Sequence, residues 1–244
     1  MIYRFFKRLF DIILSLIALP FVLIVILIFA PIIWLTDRGP VFYNAERLGY
    51  RGKTFKMYKL RSMKVNSPNL KNADGSTYNG ENDPRVTKVG RFMRKTSIDE
   101  LPQFLNVLKG DMSFIGPRAH LTTNYRGYDL LDEPHKKRLD VRPGITGYSQ
   151  AYFRNAATSA QKLENDVYYA ENISLGLDIK ILFKTVFSVL KRENIYVTEA
   201  STGGATPKTA ETPATPAETP ATPAETPAAP AEAVETDVVG TEAK

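Results

Sequence analysis

Cysteine is absent from the 244 residues, which excludes disulfide staples, zinc–thiolate sites and cysteine nucleophiles. Histidine is almost absent: His120 and His135 are too few for a histidine-rich metal centre, and each reads as a surface residue on a basic segment. The common nucleotide-binding and hydrolase signatures are missing as well. No G-x-x-x-x-G-K-[ST], G-x-G-x-x-G or G-x-S-x-G occurs, which removes a P-loop, a dinucleotide pyrophosphate cradle and a nucleophile elbow. Acids are scarce before residue 201. Residues 201–244 hold two lysines and seven acids, so residues 1–200 hold 30 basic and 19 acidic residues, a net charge of +11. That balance suits an anionic partner: nucleic acid, an anionic membrane surface or a phosphate-rich substrate.

Charge is missing altogether from Ile12 to Thr36, 25 residues in a row. As a helix this run is ~37 Å long, enough to cross a hydrocarbon core. It is too long for a signal peptide and no small-residue cleavage site follows it, so it predicts membrane association. Its flanks conflict with a simple crossing. Arg4, Lys7 and Arg8 precede it, and Arg38, Arg47, Arg51, Lys53 and Lys56 follow it, so the excess of positive charge pulls both ends toward the cytoplasm. Pro20 cannot donate to the carbonyl of Leu16. Two topologies stay open: a span with a proline kink, and a helix that enters, turns near Pro20 and leaves on the same face.

The remainder predicts an α/β chain, mostly helical, with a short β-hairpin or small sheet. "GPVFYNAERLGYRGKTFKMYKLRSM" reads as two strands about a turn at Gly49–Gly52. Residues 66–85 form a polar loop, and "RPGITG" is a turn whose glycines permit close backbone approach. Residues 175–192 form an amphipathic helix with Leu177, Ile181, Phe183, Val186, Phe187 and Leu190 apolar and Lys180, Lys184, Lys191 and Arg192 basic; it packs on a core or lies on anionic lipid. ETPATPA begins at Glu211 and again at Glu218, and ETPAAPA at Glu225. A repeat with proline at this density is an extended spacer rather than a coiled coil. The expected division is therefore 1–36 membrane-inserted helix, 37–197 catalytic domain and 198–244 disordered tail.

The chemistry is carried by "RKTSIDELPQFLNVLKG". Leu101, Phe104, Leu105 and Leu108 have the spacing of one helix face, Gly110 ends it, and Pro102 belongs in its first turn. Asp99 and Glu100 then sit at the helix N-terminus, where carboxylates meet backbone N–H groups and the positive end of the dipole, with Ser97 and Glu100 matching a capping box. The same seat suits a phosphorus nucleophile or metal ligand. Arg91, Arg94 and Lys95 lie on one side and Arg118 on the other, and carboxylates among cations are the equipment of phosphoryl transfer.

Six ordered segments, "FKRLFD", "GPVFYNAERLG", "FKMYKLRSM", "TSIDELPQFLNVLKGDMSFIGPR", "VRPGITGYSQ" and "DVYYAENISLGLDIKILFKT", resemble the bacterial sugar transferases called monotopic phosphoglycosyl transferases, in their short form. The resemblance covers about residues 4–197. It implies transfer of a sugar phosphate from a UDP-sugar to polyprenyl phosphate, with release of UMP, at the cytoplasmic face of the bacterial inner membrane. It further implies Mg²⁺, with Asp99 as nucleophile and metal ligand beside Glu100. Arg94, Arg118 and Arg154 are implied to hold substrate phosphate, and Pro20 to break a re-entrant membrane helix; Lys59 and Arg61, on the basic strand, either join them in gripping phosphate or face lipid headgroups. The expected partners are the donor, the lipid acceptor and membrane lipid, with no nucleic acid and with room for a homo-oligomer. The chain departs from the family pattern at Leu19, where a serine usually precedes the proline, at Ala119, where a second proline usually follows the arginine, and at "AYFRN", which lacks the usual glycine. The rival reading from another class is a membrane-tethered scaffold that binds anionic lipid or nucleic acid without turnover.

Overall fold

The computed structural model describes residues 2–71, 78, 80, 82–122, 125–153, 156–191 and 208–209. The described chain is mostly helical with small two-stranded sheets. The helices are α1 (Ile2–Asp37), α2 (Lys88–Thr96), α3 (Gln103–Lys109), α4 (Glu133–Arg138), α5 (Tyr148–Tyr152), α6 (Ser159–Glu171) and α7 (Leu175–Lys191). The strands are β1 (Ala45–Leu48), β2 (Thr54–Met57), β3 (Leu70–Lys71), β4 (Ser113–Ile115), β5 (Gly144–Thr146) and β6 (Lys208–Thr209).

The expected hairpin forms. β1 and β2 pair antiparallel from Ala45↔Met57 to Leu48↔Thr54, and the turn between them carries Gly52 at φ +74°. Its neighbour is a parallel pair, Ser113↔Gly144 and Ile115↔Thr146. Here the glycines of "RPGITG" serve close backbone approach, to another segment of the chain. A Cβ at Gly144 would lie 2.2 Å from Gly116 N, and one at Gly147 would lie 2.0 Å from Gly116 O, so no side chain fits at either position. In the expected tail, Thr209 and Lys208 pair with Leu70 and Lys71; the rest of 198–244, with its repeats, lies outside the described residues.

Three apolar clusters hold these elements. Ile115, Val141, Ala151, Tyr169, Ala170 and Ile181 unite β4, α5, α6 and α7. Met57, Val107, Met112 and Ala119 join the hairpin to α3. Ile33, Leu60 and Met93 bring the far end of α1 against α2. Phe114 packs against the first two clusters, so the domain is continuous.

α1 is continuous across Pro20 and Pro31. The break expected at Pro20 is therefore not an interruption of the helix. A proline removes a single N–H···O bond, and in an apolar medium the surrounding backbone donors have no better partner than the helix itself. Only Asp11, Ser15, Val22, Val25 and Ile33 of α1 are buried, while Phe5, Ile17, Phe21, Ile24, Leu27 and Leu35 are more than half exposed. A surface this apolar is not a surface for water, and α1 is the membrane-binding element.

Both ends of α1 are fastened to the same domain. Near its start, Lys7 Nζ lies 2.7 Å from Asp178 Oδ2, Arg8 donates to the carbonyls of Val107 and Leu108 at 2.6 and 3.0 Å, and Asp11 accepts from Phe114 N at 3.0 Å. At its end, Asp37 takes both terminal nitrogens of Arg61 at 2.6 Å. Arg61 also donates to the carbonyls of Pro40 and Ile33.

A second buried ion pair ties α4 to α6. Arg138 and Asp166 are each 3% exposed at the side chain and in direct contact. Burial raises the Asp166 carboxyl and the charges of Arg138 and then Arg118 lower it, leaving it near 6. Nη1 of Arg138 reaches His120 at 2.6 Å, and the Nη2 that meets Asp166 also donates to the Arg118 carbonyl at 3.1 Å.

These pairs generate two expectations. Arg61→Ala leaves Asp37 without its fork, and because the pair is only partly solvated the cost should be about 2–3 kcal/mol, read as a lowered melting temperature in detergent. Arg138→Met should cost about 3–5 kcal/mol at pH 8. With Arg138 gone only the lesser contributions of Arg118 and Lys162 oppose burial, so the folded state holds the Asp166 proton more tightly than the unfolded chain does. Stability then falls as pH rises through the raised pKa, and the melting temperature of the variant should recover toward wild type between pH 8 and pH 5.5.

Candidate active site

The acidic pair lies where α2 hands over to α3. α2 starts at Thr87, whose hydroxyl accepts from Gly90 N, and ends at Ser97 with φ +57°. The expected capping box does not form: Ser97 is the left-handed C-cap of α2, its N–H donating to Arg94 O, and that conformation is incompatible with an extended N-cap. Ile98–Glu100 make a 3₁₀ turn, and α3 begins after Pro102 and closes on Gly110 at φ +92°. Asp99 and Glu100 thus precede the α-helix by one tight turn. Successive residues in such a turn point about 120° apart, which sends Asp99 inward, at 2% exposure, and leaves Glu100 at the rim.

Cations reach the pair from two remote segments. The Leu60 N–H donates to Asp99 O at 3.0 Å, so the chain leaving β2 runs beside the dyad and delivers Lys59. Its Nζ stands 2.7 Å from Asp99 Oδ2 and 3.3 Å from Glu100 Oε1. Arg118 approaches from the other side, its Nη2 3.0 Å from the same Glu100 oxygen. The Arg118 backbone is pinned in turn, bridged to Gly144 and bonded through its carbonyl to Arg138. Burial raises the Glu100 carboxyl, but Arg118 and Lys59 together outweigh it and hold the group at about 2. The charge of Glu100 raises Arg118 in return. Asp99 Oδ2, though close to Lys59, accepts no aligned hydrogen bond among the described residues.

A cavity of about 570 Å³ opens over this network, lined by Asp99, Glu100, Lys59, Arg94, Arg118 and Arg47 among others. That volume suits a small organic ligand. Arg94 is held by a bond from its Nε to Ser62 Oγ at 3.0 Å. Of the residues expected from sequence, the structure brings together Asp99, Glu100, Lys59, Arg94 and Arg118. Arg61 does not join them: its fork is spent on Asp37 and on carbonyls at the end of α1, and it does not line the cavity. Lys59 and Arg61 are two residues apart, a spacing that regular strand alternation would place on one face, but both lie beyond β2, and the Arg61 side chain is captured by Asp37 and the carbonyls of Pro40 and Ile33. Arg154 lies outside the described residues.

Among the lining residues not expected from the sequence are Arg47 and His120. Arg47, on β1, is pushed down to about 10 by burial and then by the like charge of Arg118. In sequence it is one more basic residue after a membrane helix, and no signal there separates it from its neighbours. His120, expected at the surface, lies against Arg138 at the cavity wall.

The arrangement offers a buried carboxylate whose Oδ2 accepts no aligned hydrogen bond among the described residues, one acid clamped between cations, and several further guanidinium and ammonium groups lining the same space. It can bind a phosphorylated ligand and present a carboxylate oxygen to phosphorus.

Comparison with known proteins agrees with the geometry. A family profile described as "Bacterial sugar transferase" matches residues 2–192. The chain is 43% identical over 192 residues to a UDP-N-acetylgalactosamine-undecaprenyl-phosphate N-acetylgalactosaminephosphotransferase of Aeromonas hydrophila, covering 78% of this chain and 44% of that protein. It is 42% identical over 198 residues to a UDP-glucose:undecaprenyl-phosphate glucose-1-phosphate transferase of Escherichia coli K12, covering 79% and 42%. It is 43% identical over 192 residues to the sugar transferase EpsL of Bacillus subtilis, covering 79% and 91%. The chain therefore spans under half the length of the first two relatives and nearly all of the third. With the profile matching nearly everything before the repeats, the chain belongs to the bacterial sugar transferase family.

Proposed function

We propose that this chain transfers a sugar phosphate from a UDP-sugar to polyprenyl phosphate, releasing UMP and giving a polyprenyl diphospho-sugar, the initiating step of a bacterial surface glycan. The reading rests on one observation above the rest: a carboxylate at 2% exposure faces a cation-lined cavity and has an oxygen free of aligned hydrogen bonds. Asp99 attacks the β-phosphorus, a P–O bond forms to its carboxylate oxygen, and the bond from that phosphorus to the bridging oxygen breaks, so that UMP leaves with the bridging oxygen. A phosphate oxygen of the lipid acceptor then attacks the same phosphorus and the Asp99 carboxylate is released. Lys59 screens the entering and leaving charge beside Asp99. Arg118, oriented by Glu100 below and Arg138 behind, grips a phosphate, and Arg94 supports it from the end of α2.

Mg²⁺ suits this donor set. No group of three or more histidine, cysteine, aspartate or glutamate ligands occurs among the described residues, and Mg²⁺ is commonly held by one or two carboxylates together with waters and substrate phosphates. Asp99 is the residue that would hold it, where the ion would offset charge on the diphosphate. A scaffold that only binds lipid or nucleic acid leaves the buried Asp99 and its clamped neighbour without a purpose.

The attachment of α1 bears on topology. A helix that crossed the bilayer would carry Lys7, Arg8 and Asp11 away from the domain, yet these residues bond to Asp178, Val107, Leu108 and Phe114. A helix that dips into one leaflet and keeps both ends on the cytoplasmic face of the inner membrane reconciles those bonds with the positive charge on both flanks. The exposed apolar face of α7, with Leu175, Ile179, Leu182, Phe183, Val186 and Phe187, would rest on the same surface.

Detergent-solubilised protein given Mg²⁺, a polyprenyl phosphate and a panel of UDP-sugars should release UMP with at least one donor. Release of UDP instead would mean direct glycosyl transfer and would remove the role given to Asp99. Asp99→Asn should fold and bind membrane as wild type does while losing UMP release by about a thousandfold or more, together with covalent phosphosugar labelling. For topology, the absence of native cysteine makes Ile2→Cys and Pro40→Cys clean reporters. Both should react with an impermeant thiol reagent only when the cytoplasmic face is exposed, and labelling from opposite faces would show a span.

A further inference from the structure

The wall of the cavity contributed by β5 and α5 differs in kind from the cationic floor, and its hydrogen bonds do not close. Thr146 Oγ1 and Thr185 Oγ1 are paired at 2.8 Å, and Ser188 Oγ donates to the Ala151 carbonyl at 2.9 Å. Beside them, Ser149 Oγ and both amide atoms of Gln150 are buried with no hydrogen-bond partner among the described residues. Ser149 is 4% exposed. Both residues line the cavity that contains Asp99, Lys59, Glu100 and Arg118. Their seat is fixed by the glycine contact described above: Gly147 presses on the Gly116 backbone, which sets the start of α5 and with it the two side chains that follow.

An unpaired buried amide costs folding free energy, so it is retained where something outside the chain completes it. A glutamine offers two N–H donors and two acceptor lone pairs in a fixed plane, and a serine adds one donor with two acceptor sites. A pair of neighbouring hydroxyls, each able to give and take a hydrogen bond, matches that set. A uracil edge presents a comparable set of donors and acceptors, and inhibition by UMP separates it from the sugar. Phosphates belong with the arginines and Lys59.

We propose that Ser149 and Gln150 form the subsite that reads the hydroxyl pattern of the donor's sugar, Gln150 being the principal specificity-determining residue. The proposal rests on the transfer reaction above and extends it to the side chains that choose the donor. Because the Gln150 amide makes no bond within the described chain, Gln150→Met, which keeps length and removes polarity, should leave the melting temperature unchanged or raise it. A structural amide would behave in the opposite way.

The experiment measures UMP release by wild type, Gln150→Met and Ser149→Ala with UDP-glucose, UDP-galactose, UDP-N-acetylglucosamine and UDP-N-acetylgalactosamine, alongside inhibition by UMP and thermal melts. For Gln150→Met, kcat/KM for the preferred donor should fall about 10- to 100-fold, while the least favoured donor and the inhibition constant for UMP change less than about threefold. Ser149→Ala should move the same ratio in the same direction by a smaller factor. An equal loss across all donors with weakened UMP inhibition would assign the amide to the nucleotide and overturn the proposal. So would unchanged discrimination, or a uniform loss accompanied by a lowered melting temperature. If wild type released no UMP from any donor, the transfer reading would fall and the sugar subsite with it, an outcome distinct from wild-type turnover without a change in selectivity.

Discussion

A carboxylate can be taken out of water only where charges and dipoles of the protein replace the lost hydration, and the folded domain is organised around doing so for Asp99. Lys59 comes from the segment after the hairpin and Arg118 from the segment after β4, some 40 residues before and 20 after the dyad in sequence. Each cation is then anchored by a further layer. The Leu60–Asp99 backbone bond carries Lys59, and the Gly144 bridge and the Arg138 side chain carry Arg118. Arg138 needs its own buried counter-charge, which Asp166 supplies from α6. The small sheets and short helices are the means of holding a few charged groups in register, and their hydrophobic clusters are correspondingly modest in size.

The same logic of replaced hydration operates at the membrane. α1 presents apolar side chains on most of its circumference, but the stripe that meets the domain includes Asp11 and Ser15, and its two ends finish in ion pairs with Asp178 and Arg61. The membrane element and the cavity belong to one folded body, joined through α3: Arg8 caps the carboxyl end of the helix whose amino end follows the dyad. The position of the cavity relative to α1 is thus fixed by packing.

Much of this could be read from residue order alone. The charge-free run from Ile12 to Thr36, the hairpin about Gly49–Gly52, the helix closing on Gly110 and the pairing of Asp99 and Glu100 with nearby cations all follow from local patterns. Other features escaped that reading because they are decided by direction and register. Lys59 and Arg61 are equivalent as letters and their spacing would put both on one face of a regular strand, yet one reaches the dyad and the other is captured by Asp37 at the end of α1. Ser97 and Glu100 spell a capping box, but Ser97 was claimed by the end of the preceding helix. Arg47 and His120 carry no distinguishing local signal and reach the cavity through the pairing of β1 and the pull of Arg138.

By itself, then, the sequence determined the composition of the site and the presence of a membrane helix, since apolar periodicity, charge and turn chemistry are properties of neighbouring residues. The tertiary structure alone decided which cations face the acids, which end of α1 is tied to which part of the domain, and which polar side chains are left with unfilled hydrogen bonds on the cavity wall. Those outcomes depend on backbone segments meeting across 20 to 100 residues, where a one-residue change of register points a side chain to the opposite face and no local pattern records the choice.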